Sequence, residues 1–304
     1  MAYHGWSRNA QILDPVHVPD NLPMEFNGFP RLSGHQLLSL EGPDAAAFAH
    51  AQFSSDVTAL PVRHWQWSAW LSAKGRTIAV FQLIRVDVDT VLLVLADGDA
   101  DAIASQLQRF VFRRKVRIAV RNDLIVAGSF TAPDAASGAA IAVHGETLEL
   151  DVGSDALPRT LRIAPAHADI GTDAAGVDLA WRQSDLRYGV PRLDVPQREQ
   201  WTPQQLGLDR LNGYSVKKGC YPGQEIVART HFLGKAKRAL QLLRVADGVV
   251  SGAQVQQNGA AIGTLASVAG DLALAVLPLE MAGDPLSVDG IEAVPLPLLE
   301  GLAR

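Results

Sequence analysis

A single cysteine, Cys220, occurs in 304 residues, and it limits what this chain can be. No intrachain disulfide can form, so the fold must be held by its own core, as suits a reducing compartment such as the cytoplasm. Hydrophobic residues make up 48% of the chain and charged residues 19%, enough to bury a core and too apolar for disorder. One thiolate cannot hold an iron–sulfur cluster, which as a rule takes four protein ligands. The eight histidines show neither H-x3-H nor HExxH spacing, so no stable metal is expected. No apolar run has the length of a membrane span, about 18 residues or more. The N-terminus lacks the apolar stretch of a signal peptide, and no membrane partner is expected. The net charge of −5 argues mildly against direct nucleic-acid binding.

Residues 1–30 contain four prolines and little periodicity, which reads as an extended arm. Gly42-Pro43-Asp44 predicts a helix start, with Phe48 as the core contact. Strands are expected over residues 65–71, 78–88 and 90–96, then a helix from Asp97-Gly98-Asp99. Ile103, Leu107, Phe110 and Val111 fall on one face of that helix. Arg109, Arg113, Arg114, Lys115 and Arg117 surround Phe110 and Phe112, a pattern shared with single-strand nucleic-acid binders. The reading preferred here turns the aromatics to the core and the cations to solvent. Val116, Ile118 and Val120 alternate as in a strand, and residues 132–140 read as a loop. Beyond residue 238 come short strands with a strong hairpin signal at Asn258-Gly259, pointing to a small barrel or sandwich. Strand pairs followed by helices suggest an α+β fold. The boundaries drawn are an arm over 1–30, two α+β subdomains over 31–237, and a C-terminal barrel over 238–304.

Cys220 lies in Lys217-Lys218-Gly219-Cys220-Tyr221-Pro222-Gly223-Gln224-Glu225. Tyr221-Pro222-Gly223 suits a type II turn, with proline setting φ at the second position and glycine accepting φ > 0 at the third. Lys217 and Lys218 bring positive charge, which favours the thiolate, the reactive form. A helix beginning near Gln224 adds its dipole. Six cations and one acid fall between Lys217 and Arg238. They are Lys217, Lys218, Arg229, Lys235, Lys237 and Arg238, against Glu225. The plainest account of such a run is a solvated charged face.

The segment KGCYPGQE resembles the K-G-C-Y-x-G-Q-E signature of the YgfZ-type folate-binding proteins, relatives of the glycine-cleavage T-protein linked to iron–sulfur cluster assembly or repair. Weaker matching blocks are Trp201–Leu208, Ile226–Arg229, Lys237–Leu240, Glu41–Phe48, Ser54–Val57 and Lys74–Arg76. Together they cover roughly residues 35 to 245.

The resemblance implies three subdomains ringed around a central folate cavity, the last an antiparallel barrel. It implies tetrahydrofolate or a related reduced folate as ligand, with Cys220 as the functional thiol at the cavity mouth. Trp181, Lys218, Gly219, Tyr221, Gly223, Gln224, Glu225 and Arg229 are the implied folate-contact residues. The basic rim would attract the glutamate carboxylates of folate, with arginine pairing bidentately. Iron–sulfur enzymes or assembly factors, including enzymes of tRNA modification, are the implied transient partners of a monomer.

Two departures stand out. Arg187 occupies the position of the family glutamate that bonds the pterin edge, with Asp185 two residues away. The stretch from Gly75 to Arg85 contains no carboxylate where the T-protein has its aspartate, which argues against aminomethyl transfer. The sequence therefore points to an accessory protein without classical turnover. A folate-dependent one-carbon transferase and a tRNA-binding module are the alternatives.

Overall fold

The structure, a computed structural model, describes residues 26, 28–170, 174–234, 236–281 and 283–304. The expected N-terminal arm falls almost entirely outside the described residues. Among the described residues no helix is long and apolar enough to cross a membrane.

The first layer comprises β1 (Gln36–Glu41), α1 (Ala45–Gln52), β2 (His64–Leu71), β3 (Thr77–Arg85), β4 (Thr90–Leu95), α2 (Ala100–Gln108) and β5 (Arg117–Val120). Its antiparallel sheet runs β2-β3-β4-β1-β5. The period of two divides its side chains between two cores. Phe81, Leu83, Leu93 and Leu95 pack with Phe48 of α1 and with Ile103 and Leu107 of α2. Trp65, Trp67, Ile84, Leu92 and Val94 face the opposite way into a larger core. A sheet covered on both faces explains why β4 reads as the unbroken apolar run TVLLVL.

The second sheet contains β6 (Leu124–Ser129), β7 (Ala142–His144), β8 (Thr147–Asp151) and β9 (Thr160–Pro165), ordered β6-β9-β8-β7. Helix α3 (Val177–Arg187) follows, and α4 (Gln224–Phe232) comes after a long run of turns. The chain then forms β10 (Arg238–Arg244), β11 (Gln254–Gln257), β12 (Ala260–Ala269), β13 (Leu272–Pro278), β14 (Leu286–Val288) and β15 (Ile291–Leu296). These close into a six-strand antiparallel barrel, β10-β13-β12-β11-β14-β15. The α+β fold with a C-terminal antiparallel barrel is as expected.

Alternation builds the barrel. On β13, Ala273, Ala275 and Leu277 join the barrel core, the two alanines leaving room for tight closure, while Leu272, Leu274 and Val276 join the main core outside. Asn258 and Gly259 take φ 52 and 76, the two left-handed residues of a type I′ hairpin. The tail after β15 returns to the first sheet, where the Trp67 indole donates to the Leu302 carbonyl at 3.1 Å.

One expectation is overturned. Helix α2 ends at Gln108, so the helical face stops before Phe110. Phe110 and Phe112 are 49% and 74% exposed and do not reach the core.

Candidate functional site

The signature segment folds locally as its residues dictate. Gly223 has φ 79 and ψ 0, the third position of a type II turn, and the Gln224 amide closes the turn on the Tyr221 carbonyl at 3.1 Å. Helix α4 starts at Gln224. Glu225 sits in its first turn, with Arg229 and His231 in its last, both favourable to the helix dipole. Cys220 stands free and exposed ahead of the turn.

Everything around the thiol is tied down. The Gln224 side-chain Nε2 donates to the Lys218 carbonyl at 2.9 Å. The Tyr221 hydroxyl donates to the Ser215 carbonyl at 3.0 Å, and burial pushes that phenol upward. The Ser215 amide donates to the Ser54 carbonyl at 2.8 Å, and the Ser54 hydroxyl donates to the Gly213 carbonyl at 2.6 Å.

Lys218 corrects the electrostatic expectation. It is 7% exposed, and its ammonium points away from solvent. It donates to the carbonyls of His50 and Phe53, at the end of α1, and to that of Ser55 at 3.1 Å. Its Nζ also lies 4.6 Å from the Tyr221 ring centroid. A cation on helix C-terminal carbonyls is a stabilising cap. Burial pushes Lys218 down to about 8, against the attraction of Asp56. Of the two lysines before Cys220, only Lys217 is exposed.

His50 was not anticipated. Its Nδ1 is 3.2 Å from Asp56 Oδ1, and its Nε2 lies 3.9 Å from where a Cβ on Gly219 would stand. The Ser54–Val57 block carried the only signal, because it supplies both Asp56 and a carbonyl for Lys218.

The basic rim is partly assembled. Arg229 pairs with Glu225 at 2.7 Å, both well exposed, a pairing worth little in water. Lys217 and Lys237 are exposed. Arg238 donates to the Ile262 carbonyl, and Lys235 lies outside the described residues. Arg238 also lines a cleft of about 330 Å³ with Gln204, Arg210, Tyr214 and His231. Gln204 donates there to the Val227 carbonyl at 2.9 Å, while its buried Oε1 has no partner among the described residues.

Trp181 is 1% exposed. Its ring rests on Gly128, where a Cβ would come within 2.6 Å, and Arg159 stacks over it at 4.9 Å. The stacking expected of Trp181 would require Arg159 to move. Asp185 is clamped by Arg159 and Arg192, each at 2.7 Å. Burial opposes its ionisation, but the two guanidiniums prevail and hold it below the usual carboxylate range. Arg187 lies in the field of Asp271 and Arg244, both on the barrel side. In this arrangement Arg159 covers the Trp181 ring, and Asp185 is engaged by two arginines. The space beside Trp181 is occupied by the Arg159–Asp185–Arg192 ion network, which leaves His35 Nδ1 and Arg187 Nε without a partner among the described residues.

The comparisons agree with this architecture. The family model described as the CAF17 C-terminal beta-barrel domain matches residues 236–297. A protein of Aliivibrio fischeri named tRNA-modifying protein YgfZ is 26% identical over 280 residues, 83% of this chain and 86% of that protein. One of the same name from Serratia proteamaculans is 28% identical over 256 residues, 77% of each. The crystal structure of glycine cleavage system aminomethyltransferase T from Bartonella henselae superposes with a TM-score of 0.69 at 17% identity, covering 91% of this chain and 87% of that one. The chain is therefore similar over most of its length to proteins named tRNA-modifying protein YgfZ, has the fold of aminomethyltransferase T and ends in a barrel that matches the CAF17 C-terminal domain model.

Proposed function

We propose that this chain is an accessory protein of the YgfZ kind. It supports assembly or repair of iron–sulfur clusters in client enzymes, among them enzymes that modify tRNA, with Cys220 as the working thiol. The observation that carries the reading is an exposed Cys220 on a loop otherwise anchored on every side. A rigid mount with one free thiol suits transient contact with a partner. One thiolate can occupy one position of a cluster and leave the others to different ligands, or it can attack a disulfide of a partner protein, forming a mixed disulfide as the partner's S–S bond breaks and its other sulfur leaves as a thiolate.

A reduced folate is proposed as ligand and not as reactant. Arg159 covers Trp181 and two arginines engage Asp185, so no chemical step is drawn through it. The cleft beside α4 brings Arg210, Arg238 and Tyr214 together, with Asp209 also in its lining, and two guanidiniums suit a carboxylate-bearing ligand. Titrating tetrahydrofolate against the protein, with Arg238→Ala alongside, tests this; no binding at millimolar ligand would remove folate from the reading.

Aminomethyl transfer is favoured by the shared fold alone. The β3 segment has no acid, Asp185 is occupied by two arginines, and Asp56 is paired with His50. Tetrahydrofolate-dependent turnover of an aminomethyl donor would establish the enzyme reading in its place.

The thiol reading is tested in a cell lacking its own homologue, by the activity of cluster-dependent enzymes. Wild-type protein is expected to restore activity and Cys220→Ser is not. Full rescue by a stably folded Cys220→Ser protein would end the thiol mechanism and leave the folate titration unaffected.

A further inference from the structure

The loop after α2 carries a feature that the signature segment does not explain. Residues 109–117 read RFVFRRKVR, five cations and no acid within nine residues of an acidic chain. The cations and both phenylalanines stand in solvent. Arg113 takes the left-handed backbone, φ 57, and its guanidinium lies 5.0 Å from the Phe112 ring centroid. Arg117 pairs with Glu41. Arg109, Arg113, Arg114 and Lys115 have no ion pair among the described residues. The loop is not loose, because the Lys115 amide donates to Asp44 Oδ2 at 2.7 Å and the Asp44 amide donates to the Lys115 carbonyl at 3.3 Å.

We infer that this loop is a binding surface for a single-stranded segment of RNA, with Phe110 and Phe112 as stacking platforms and Arg109, Arg113, Arg114 and Lys115 as phosphate contacts. The chemistry matches in both parts. A single strand alternates phosphates with flat π-faces, and aromatic rings interleaved with cations meet both. Apolar burial alone leaves the arginines unexplained, and an acidic protein face leaves the exposed rings unexplained. An anionic bilayer fits less well, because the acidic remainder of the chain would face it. The net charge that argued against nucleic acid describes the whole molecule, not this patch. The surface lies at the start of α1 and the Lys218 anchor at its end. One eight-residue helix, about 12 Å by its rise per residue, separates them. The inference does not rest on the thiol reading, and either can fail without the other.

Fluorescence anisotropy tests it, using the full chain and a fluorescein-labelled single-stranded oligoribonucleotide of roughly 12 nucleotides. Saturable binding is expected, with log K falling linearly against log salt. Phe110→Ala and Phe112→Ala should each weaken binding about fivefold or more at fixed salt. Arg113→Ala combined with Arg114→Ala should flatten the salt slope by roughly one for each cation removed. All four positions are exposed, so an unchanged melting midpoint verifies the fold of each variant. Absence of saturable binding at low salt overturns the inference. So does binding indifferent to these substitutions. Binding to phosphatidylserine vesicles without binding to the oligonucleotide would assign the loop to a membrane and overturn it equally.

Discussion

Gly223 of the signature turn lies against Gly75 of the β2–β3 turn. A Cβ on Gly223 would fall 2.6 Å from the Gly75 Cα and 2.6 Å from the Ser72 carbonyl oxygen. Both residues hold left-handed backbone, φ 79 and 68. The contact joins two sequence blocks nearly half the chain apart, and it gives the Lys74–Arg76 block a reason to accompany the signature.

Gly223→Ala is therefore expected to be costly twice over. The left-handed backbone penalises any Cβ by about 1–2 kcal/mol, and the β2–β3 backbone cannot yield cheaply. A loss of at least about 2 kcal/mol is expected in denaturant unfolding, with the signature loop displaced. An unchanged midpoint would show that the two turns are not in contact.

Lys218→Met should cost about 1–3 kcal/mol, because the carbonyls of His50, Phe53 and Ser55 lose their donor. Burial brings the folded lysine down to about 8, against ~10.4 for a free lysine. Between those values the unfolded chain binds more protons than the folded one, so stability rises with pH. The margin of wild type over Lys218→Met should widen from about pH 8 to pH 10.4. A margin that is flat or narrows would contradict the buried anchor.

Asp185→Asn removes the shared partner of Arg159 and Arg192 while leaving both guanidiniums buried. Breaking such a pair costs about 3–5 kcal/mol. The folded carboxyl is held below its free value. Its contribution is therefore present above about pH 4 and disappears as pH falls through the folded value. Wild type and variant should converge in acid; equal stability at neutral pH would count against the clamp.

Trp181→Ala should act on the fold. Emptying that site costs about 3–5 kcal/mol, and Trp181→Phe should retain part of it. Calorimetry separates this from a ligand role: a stable Trp181→Ala protein that had lost only folate affinity would place the indole in a binding cavity.

The local features of the signature were legible because they depend on adjacent residues. Pro222 and Gly223 admit few backbone conformations, and a type II turn running into α4 uses both. Asn258-Gly259 likewise set the β11–β12 hairpin, and the short strands beyond residue 238 announced a β structure. The destination of Lys218 was not legible, since its acceptors are backbone carbonyls 163 to 168 residues earlier and no side chain advertises them. Arg159 was invisible for a similar reason: just ahead of β9 it is an ordinary arginine, and only the approach of α3 makes it the cover of Trp181 and the partner of Asp185. Phe110 misled because helical spacing predicts a shared face only while the helix lasts, and α2 ends before it. Neighbouring residues determine backbone preferences and turn chemistry. Which charged groups are buried, and which aromatics remain in water, depends on the packing of distant segments, and that only the tertiary structure decided.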